Sequence, residues 1–140
     1  MKAVRALHLR KAREHPLLAS AARAARSAGG EVIEVTRDVL EKVSRRENPQ
    51  TVVGVFAQAF APLESLEPDA ATCWVALQQV RDPGNLGTVV RTADAAGCGG
   101  VILVGDCCDP YSVEAVRATM GSIFAMKIAR ASNAEFLAWR

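Results

Sequence analysis

The side chains best suited to chemistry sit in one run, residues 81–97, RDPGNLGTVVRTADAAG. Arg91 offers a permanently charged planar fork that matches a phosphate group. Gly84 and Gly87 flank Asn85, and glycines at the start of a helix can leave backbone N–H groups free for an anion. Such a locus can hold a phosphate and polarise an oxygen beside it. A second segment, residues 105–112, adds Asp106 and Asp109 as polar partners or as turn formers. The residues alone leave alternatives open. Gly-x-x-Gly is not the three-glycine dinucleotide fingerprint, and no Walker lysine follows. Arg91 can equally pair with Asp94, three residues on, as a surface contact.

The elements around this run form an alternating series. Trp74–Val80 reads as a buried strand, broken by Asp82-Pro83-Gly84. Asn85 suits a helix N-cap. Leu86, Val89, Val90, Ala93 and Ala96 then recur at helical spacing, with Arg91 on the opposite side. Gly97, Gly99 and Gly100 end the helix before a strand at Val101–Val104. Ser112 caps the next helix, whose inner face is expected at Val113, Val116 and Met120. Gly121 closes it, and Ile123–Ile128 reads as a third strand. Ser132 and Glu135 form a capping box for a last helix. Alternating strands and helices predict a mainly parallel sheet, with sites outside the carboxyl ends of its strands.

The first half repeats the alternation. A short strand at residues 2–9 precedes a helix opened by Pro16. Glu31–Val35 is a second strand, Thr36 caps a second helix carrying Val39, Leu40 and Val43, and Thr51–Phe56 is a third strand. This is a small βαβαβ unit. Residues 58–72 contain Pro62 and Pro68 with weak periodicity and read as a linker. The expected domains are therefore 1–57 and 73–140.

Charge divides the chain in the same way. Residues 1–50 carry 11 Lys and Arg against 6 Asp and Glu, whereas residues 51–140 carry 6 against 9. A basic first part points to an anionic partner, with Arg45 and Arg46 in the loop 44–50 as candidate phosphate contacts. The four cysteines, Cys73, Cys98, Cys107 and Cys108, lack the spaced pairing of a zinc site and read as reduced structural thiols. No metal is expected. No apolar run reaches the roughly 20 residues of a membrane span. The N-terminus has no apolar leader, so a cytoplasmic location is expected.

Asp82-Pro83-Gly84-Asn85-Leu86-Gly87, followed by Arg91-Thr92-Ala93 and Ala96-Gly97, resembles the first signature motif of the SpoU family. These are TrmH-type ribose 2′-O-methyltransferases of tRNA and ribosomal RNA, within the knotted SPOUT class. Asp109-Pro110-Tyr111-Ser112 and Arg117–Phe124 resemble the family's next stretch. Residues 2–57, with Asn48–Val53, are similar to its N-terminal substrate-binding domain, a small ribosomal-protein-like α/β fold. The resemblance implies that Arg91 contacts the target phosphate and helps activate the ribose 2′-hydroxyl, and that Asn85 shapes that site. Gly84, Gly87 and Arg117 join Arg45 and Arg46 as implied RNA or phosphate contacts. It also implies S-adenosylmethionine as methyl donor, tRNA or rRNA as partner, and pairing of complete chains as homodimers.

The family's later Glu-Gly and Ser-Leu-Asn motifs, which thread the knot and hold the donor, are absent from these 140 residues. The last helix is short, with nothing following in these residues for it to pack on, and the first strand starts at once. A chain truncated at both ends is the resulting expectation: an RNA-binding domain and the first half of a parallel-sheet methyltransferase domain, with no donor-binding residue and little activity of its own. Two other readings compete. One is a non-enzymatic RNA-binding protein. The other is a small nucleotide-binding α/β enzyme using Gly84–Gly87.

Overall fold

The computed structural model describes residues 3–9, 15–67 and 72–140. These fall into two compact units, residues 1–58 and 59–140.

In the first unit, β1 (Ala3–His8), β2 (Glu31–Glu34) and β3 (Val52–Phe56) make a sheet of order β2-β1-β3. β1 pairs in parallel with β2 and antiparallel with β3. The expected βαβαβ order is present, and its third strand pairs antiparallel. The helix α1 (Pro16–Ser27) carries Pro16 at its first position and buries Leu18, Ala22 and Ala25. Their spacing is one helical stripe, and the two alanines let the helix lie close on the sheet. The helix α2 (Arg37–Ser44) buries only Leu40, leaving Val39 and Val43 exposed. Arg45, in the left-handed region at φ 53°, ends it and turns the chain back toward β3.

In the second unit, β4 (Trp74–Gln78), β5 (Gly100–Val104) and β6 (Lys127–Ala131) form a parallel sheet of order β4-β5-β6. Every residue of β5 is buried, as expected for a central parallel strand covered on both faces. Its side chains alternate between two cores. Val101 and Leu103 join Leu86, Val90 and Ala93 of α3 (Pro83–Ala95), with Ile123 and Ile128. Ile102 and Val104 join Leu66, Ala129 and Ala131, flanked by Phe136 and Trp139 of α5 (Asn133–Trp139).

Three expectations need correction here. The third strand is not Ile123–Ile128. Gly121, at φ 104°, instead starts a 3-10 turn over Ser122–Phe124, and Met126 N–H closes on Ser122 O at 3.0 Å, so the strand begins only at Lys127. The inner face of α4 (Val113–Ala118) is Ala115 and the following Thr119, both essentially inaccessible, with the expected Val116 half-buried against the same core, while Val113 and Met120 are 54% and 76% exposed. Residues 59–67 are not a free linker: Ala61 N–H donates to Ile128 O at 2.8 Å, and Leu66 is buried in the second core. Residues 68–71 of that expected linker lie outside the described residues.

The last helix also has a surface to pack on. Trp139 Nε1 donates to Leu66 O at 2.8 Å, and its ring meets Trp74 edge-on at 6.0 Å. The capping box forms as read, with Ser132 N–H donating to Glu135 Oε2 at 2.7 Å and Glu135 N–H to Ser132 Oγ at 3.2 Å.

Candidate functional site

The carboxyl ends of β4 and β5 carry the two loops that the sequence singles out. The first runs into α3, whose cap is Asp82 rather than Asn85. Asp82 Oδ1 accepts from Asn85 N–H at 2.5 Å, and Pro83 takes the first helical position, where a missing N–H costs nothing. Asn85 therefore lies inside the first turn, with its side chain exposed.

This capping alters the expected phosphate cradle. Pro83 has no N–H, Asn85 N–H is taken by Asp82, and Leu86 N–H bonds to Asp82 O at 3.0 Å. Gly84 alone keeps a free N–H in that turn. A Cβ on Gly84 would lie 3.3 Å from Asp82 Oδ1 and 3.9 Å from Glu114 Oε1, so two carboxylates stand at the tip. Gly87 is buried, and a Cβ there would come within 2.4 Å of Ala115 O and 2.5 Å of Ala118 Cβ. Gly87 thus serves close packing of α3 on α4, and offers nothing to an anion.

The exposed face of α3 is simpler. Thr88 Oγ1 donates to Gly84 O and Thr92 Oγ1 to Thr88 O, both at 2.9 Å, which consumes those hydroxyls within the helix. Asn85 and Arg91 remain. Among the described residues neither side chain has a hydrogen-bond or ion-pair partner, and the alternative pairing of Arg91 with Asp94 does not form. Helical geometry sets them about 9 Å apart along the axis and about 120° apart around it. They therefore border a single polar strip, able to contact two points of an extended anionic ligand.

The second loop is tied to the first. Arg81 Nη1 donates to Asp106 Oδ2 at 2.6 Å, an exposed pair joining the ends of β4 and β5. Cys108 N–H donates to Val80 O at 2.8 Å, and the Cys107 thiol lies 3.5 Å from Leu77 O. Asp109 serves the turn, accepting from Tyr111 N–H at 3.0 Å. Tyr111 Oη donates to Ala59 O at 2.5 Å, and its ring meets Phe60 edge-on at 5.1 Å. The Arg130 guanidinium lies 4.6 Å from the Phe60 ring centre. The pairing of Arg81 with Asp106 and the clamp of Tyr111 on residues 59–60 were not legible beforehand, because both depend on which loops the sheet brings together.

Three further arginines belong to the expected contacts. Arg117 is exposed in the last turn of α4. Arg45 and Arg46 are exposed at the end of α2, in the other unit. All four cysteines are free thiols, and burial pushes the Cys98 and Cys108 thiols up, with neighbouring Cys73 and Cys107 adding to the shift. Among the described residues no cluster of three metal-ligating side chains occurs, and no helix is long and apolar enough to cross a membrane.

Residues 72–139 match the SpoU rRNA methylase family, and residues 15–54 match the MRM3-like substrate binding domain. An S-adenosylmethionine-bound rRNA methyltransferase from Sinorhizobium meliloti is 47% identical, with a TM-score of 0.90 over 99% of this chain and 50% of its own. The SpoU methyltransferase AviRb from Streptomyces viridochromogenes has a TM-score of 0.81 at 26% identity, over 98% of this chain and 49% of its own. A 23S rRNA uridine 2′-O-methyltransferase of the same organism is 30% identical over 116 residues, 81% of this chain and 40% of that protein. The chain thus spans half or less of the length of these relatives. The motif residues, the parallel sheet that holds them and these likenesses agree: the chain belongs to the SpoU methyltransferase family.

Proposed function

We propose that this chain supplies the RNA-facing part of a ribose 2′-O-methyltransferase, acting on rRNA or tRNA with S-adenosylmethionine as the donor. The observation that carries this reading is the pair Asn85 and Arg91, left without internal partners on the exposed face of α3 at the carboxyl end of a parallel sheet. The relatives named as rRNA methyltransferases support it.

The chemistry asked of these residues is modest and definite. A ribose 2′-hydroxyl is a weak nucleophile, so most of the gain comes from holding it in line and easing the loss of its proton. Arg91 holds the adjoining phosphate through two parallel N–H donors. The same positive charge favours the developing alkoxide. Asn85 has both a donor and an acceptor to orient the sugar. The expectation that Gly84 and Gly87 supply phosphate contacts is not carried forward. Residues 1–57 act in this reading as the RNA substrate-binding domain, with Arg45 and Arg46 among its phosphate contacts.

The donor is a different matter. S-adenosylmethionine needs an adenine slot and acceptors for its cationic amino acid. At the carboxyl ends of the strands Gln79 N–H donates to Val104 O and Gly105 N–H to Ala131 O, and the side-chain amide Gln78 Nε2 donates to Asn133 Oδ1 at 3.1 Å. Among the described residues the only orphaned buried side-chain nitrogen is Trp74 Nε1, at the amino end of β4. Beside the carboxyl ends an open hollow of about 510 Å³, lined by Ala76, Gln78, Val104, Asn133, Phe136 and Leu137, offers an apolar slot but no carboxylate for the donor's cationic amino acid, so these residues make only part of a donor site and no step is routed through it. Isothermal titration of the 140-residue chain with S-adenosylmethionine is expected to give no micromolar binding, and such binding would overturn the half-site reading. Titration with an rRNA fragment in rising salt is expected to show affinity falling steeply, as counterion release demands. A flat response removes the RNA reading altogether.

A further inference from the structure

The first unit contains a pocket that the motif residues do not touch. It lies between α1 and the sheet, has a volume of about 300 Å³ and opens to solvent. Its polar lining is His8, Arg23 and Arg26, and its apolar lining includes Leu18, Ala22 and Val32. The sequence explains the assembly. Ala6 and His8 alternate onto the same face of β1, and Val32 is the register partner of Ala6, so all three face the same way. On α1, Ala19, Arg23 and Arg26 follow one another at helical spacing beside the buried stripe of Leu18, Ala22 and Ala25.

Three observations point to a ligand. Arg23 and Arg26 are exposed, and among the described residues neither has a carboxylate or carbonyl partner, whereas Arg5 and Arg37 of the same unit pair with Glu31 and Glu41. Two guanidiniums one turn apart, with no counter-charge paired to them among the described residues, suit a phosphate. His8 is only 8% exposed and is one of the few polar side chains in the buried set. Its Nδ1 lies 3.1 Å from Leu9 O, a group that only accepts, so in the neutral ring Nδ1 carries the hydrogen and Nε2 is left as an acceptor. Nε2 has no partner among the described residues and is not one of the fully buried orphaned atoms, so it reaches the open pocket and can accept from a ligand there. The pocket thus offers cations at its rim, an acceptor at its wall and an apolar floor, in a volume at the lower end of small-ligand sites.

We propose that this pocket receives one nucleotide of single-stranded RNA. The phosphate lies on Arg23 and Arg26, a ribose hydroxyl or exocyclic amine donates to His8 Nε2, and the base covers Leu18, Ala22 and Val32. Specific RNA recognition works largely through such splayed nucleotides. The proposal rests on the RNA reading above, and gives the first unit a defined point of contact distinct from Arg45 and Arg46.

The test uses the whole chain with a short oligouridylate RNA, followed by fluorescence anisotropy at several salt concentrations. Arg23→Ala and Arg26→Ala are each expected to weaken binding roughly three- to tenfold and to lower the log–log salt slope by about 0.7. Both positions are exposed, so folding is spared. Arg5→Ala, outside the pocket, is expected to change binding less than twofold. The His8 ring resonances should shift on adding RNA, and polyglutamate should fail to displace it. If the oligonucleotide binds but neither pocket variant differs from Arg5→Ala, or the His8 resonances stay still, the pocket is wrong and the RNA reading stands. Displacement by polyglutamate reduces the pocket to a charge patch and overturns the nucleotide assignment. No binding by the unaltered chain removes the RNA reading itself.

Discussion

The Cα of Gly87 faces Ala115 so closely that a single added methyl group would sit 2.4 Å from the Ala115 carbonyl oxygen. That contact is backbone on one side and cannot swing away. Gly87→Ala is therefore expected to push α3 off α4 and lose about 1–3 kcal/mol of stability, despite alanine's better helix propensity. Chemical denaturation, comparing midpoints, checks it. A neutral or stabilising result would mean that the helices separate freely.

Arg91 and Asn85 present the opposite case. With no internal partner, Arg91→Ala and Asn85→Ala should each leave stability within about 0.5 kcal/mol of the parent. RNA affinity at low salt should nevertheless fall for Arg91→Ala. A matched pair of unfolding and RNA-binding curves separates the two effects, and unchanged affinity would sever Arg91 from the proposed role.

Tyr111 is the only tyrosine in the chain, so its titration can be read directly by ultraviolet absorbance. Burial pushes its phenol above the ordinary value of 10.0. Because the folded value is the raised one, the stabilisation is fully present below pH 10 and fades as pH rises through the folded value. Tyr111→Phe should remove this alkaline dependence, cost about 1 kcal/mol, and loosen residues 59–60 in hydrogen exchange.

Glu135 titrates in the other direction. The backbone N–H of Ser132 donates to its carboxylate, and that bond, followed by the Ser132 side chain, holds it below the ordinary 4.5. The lowered value belongs to the folded state, so its contribution is complete above pH 4.5 and is lost as pH falls through the folded value. Carbon-detected NMR should place the Glu135 midpoint under 4.5. Glu135→Gln, which keeps the box without the charge, should abolish the acid fraying of α5.

Much of the second unit could be read in advance because its signals are local. β5 is a plain apolar run, and Ser132 with Glu135 is a self-contained cap. The errors came where two local choices competed or where a distant partner decided. Asp82 and Asn85 are both good caps, and Pro83 between them settles the matter by fitting only the first helical position. Ile123-Phe124 looks like the start of a strand, yet the left-handed Gly121 coils it, and the true strand is disguised by Lys127 and Arg130. Leu66 gave no periodic signal in a Pro-rich stretch, since its burial depends on β5, β6 and Trp139. For the candidate site, local pattern singles out Asn85 and Arg91 but not the helix packing role of Gly87, because α4 lies beyond its reach.

The Asp82 cap has one more effect. A helix start ordinarily draws anions end-on, through its unsatisfied N–H groups and dipole. Here a carboxylate already occupies that position, with Glu114 nearby. In the proposed reading the tip is thus closed to phosphate, and the exposed flank, where Arg91 lies about two turns further along, is the surface left for it. If RNA binds as proposed, its backbone meets α3 along that flank rather than end-on.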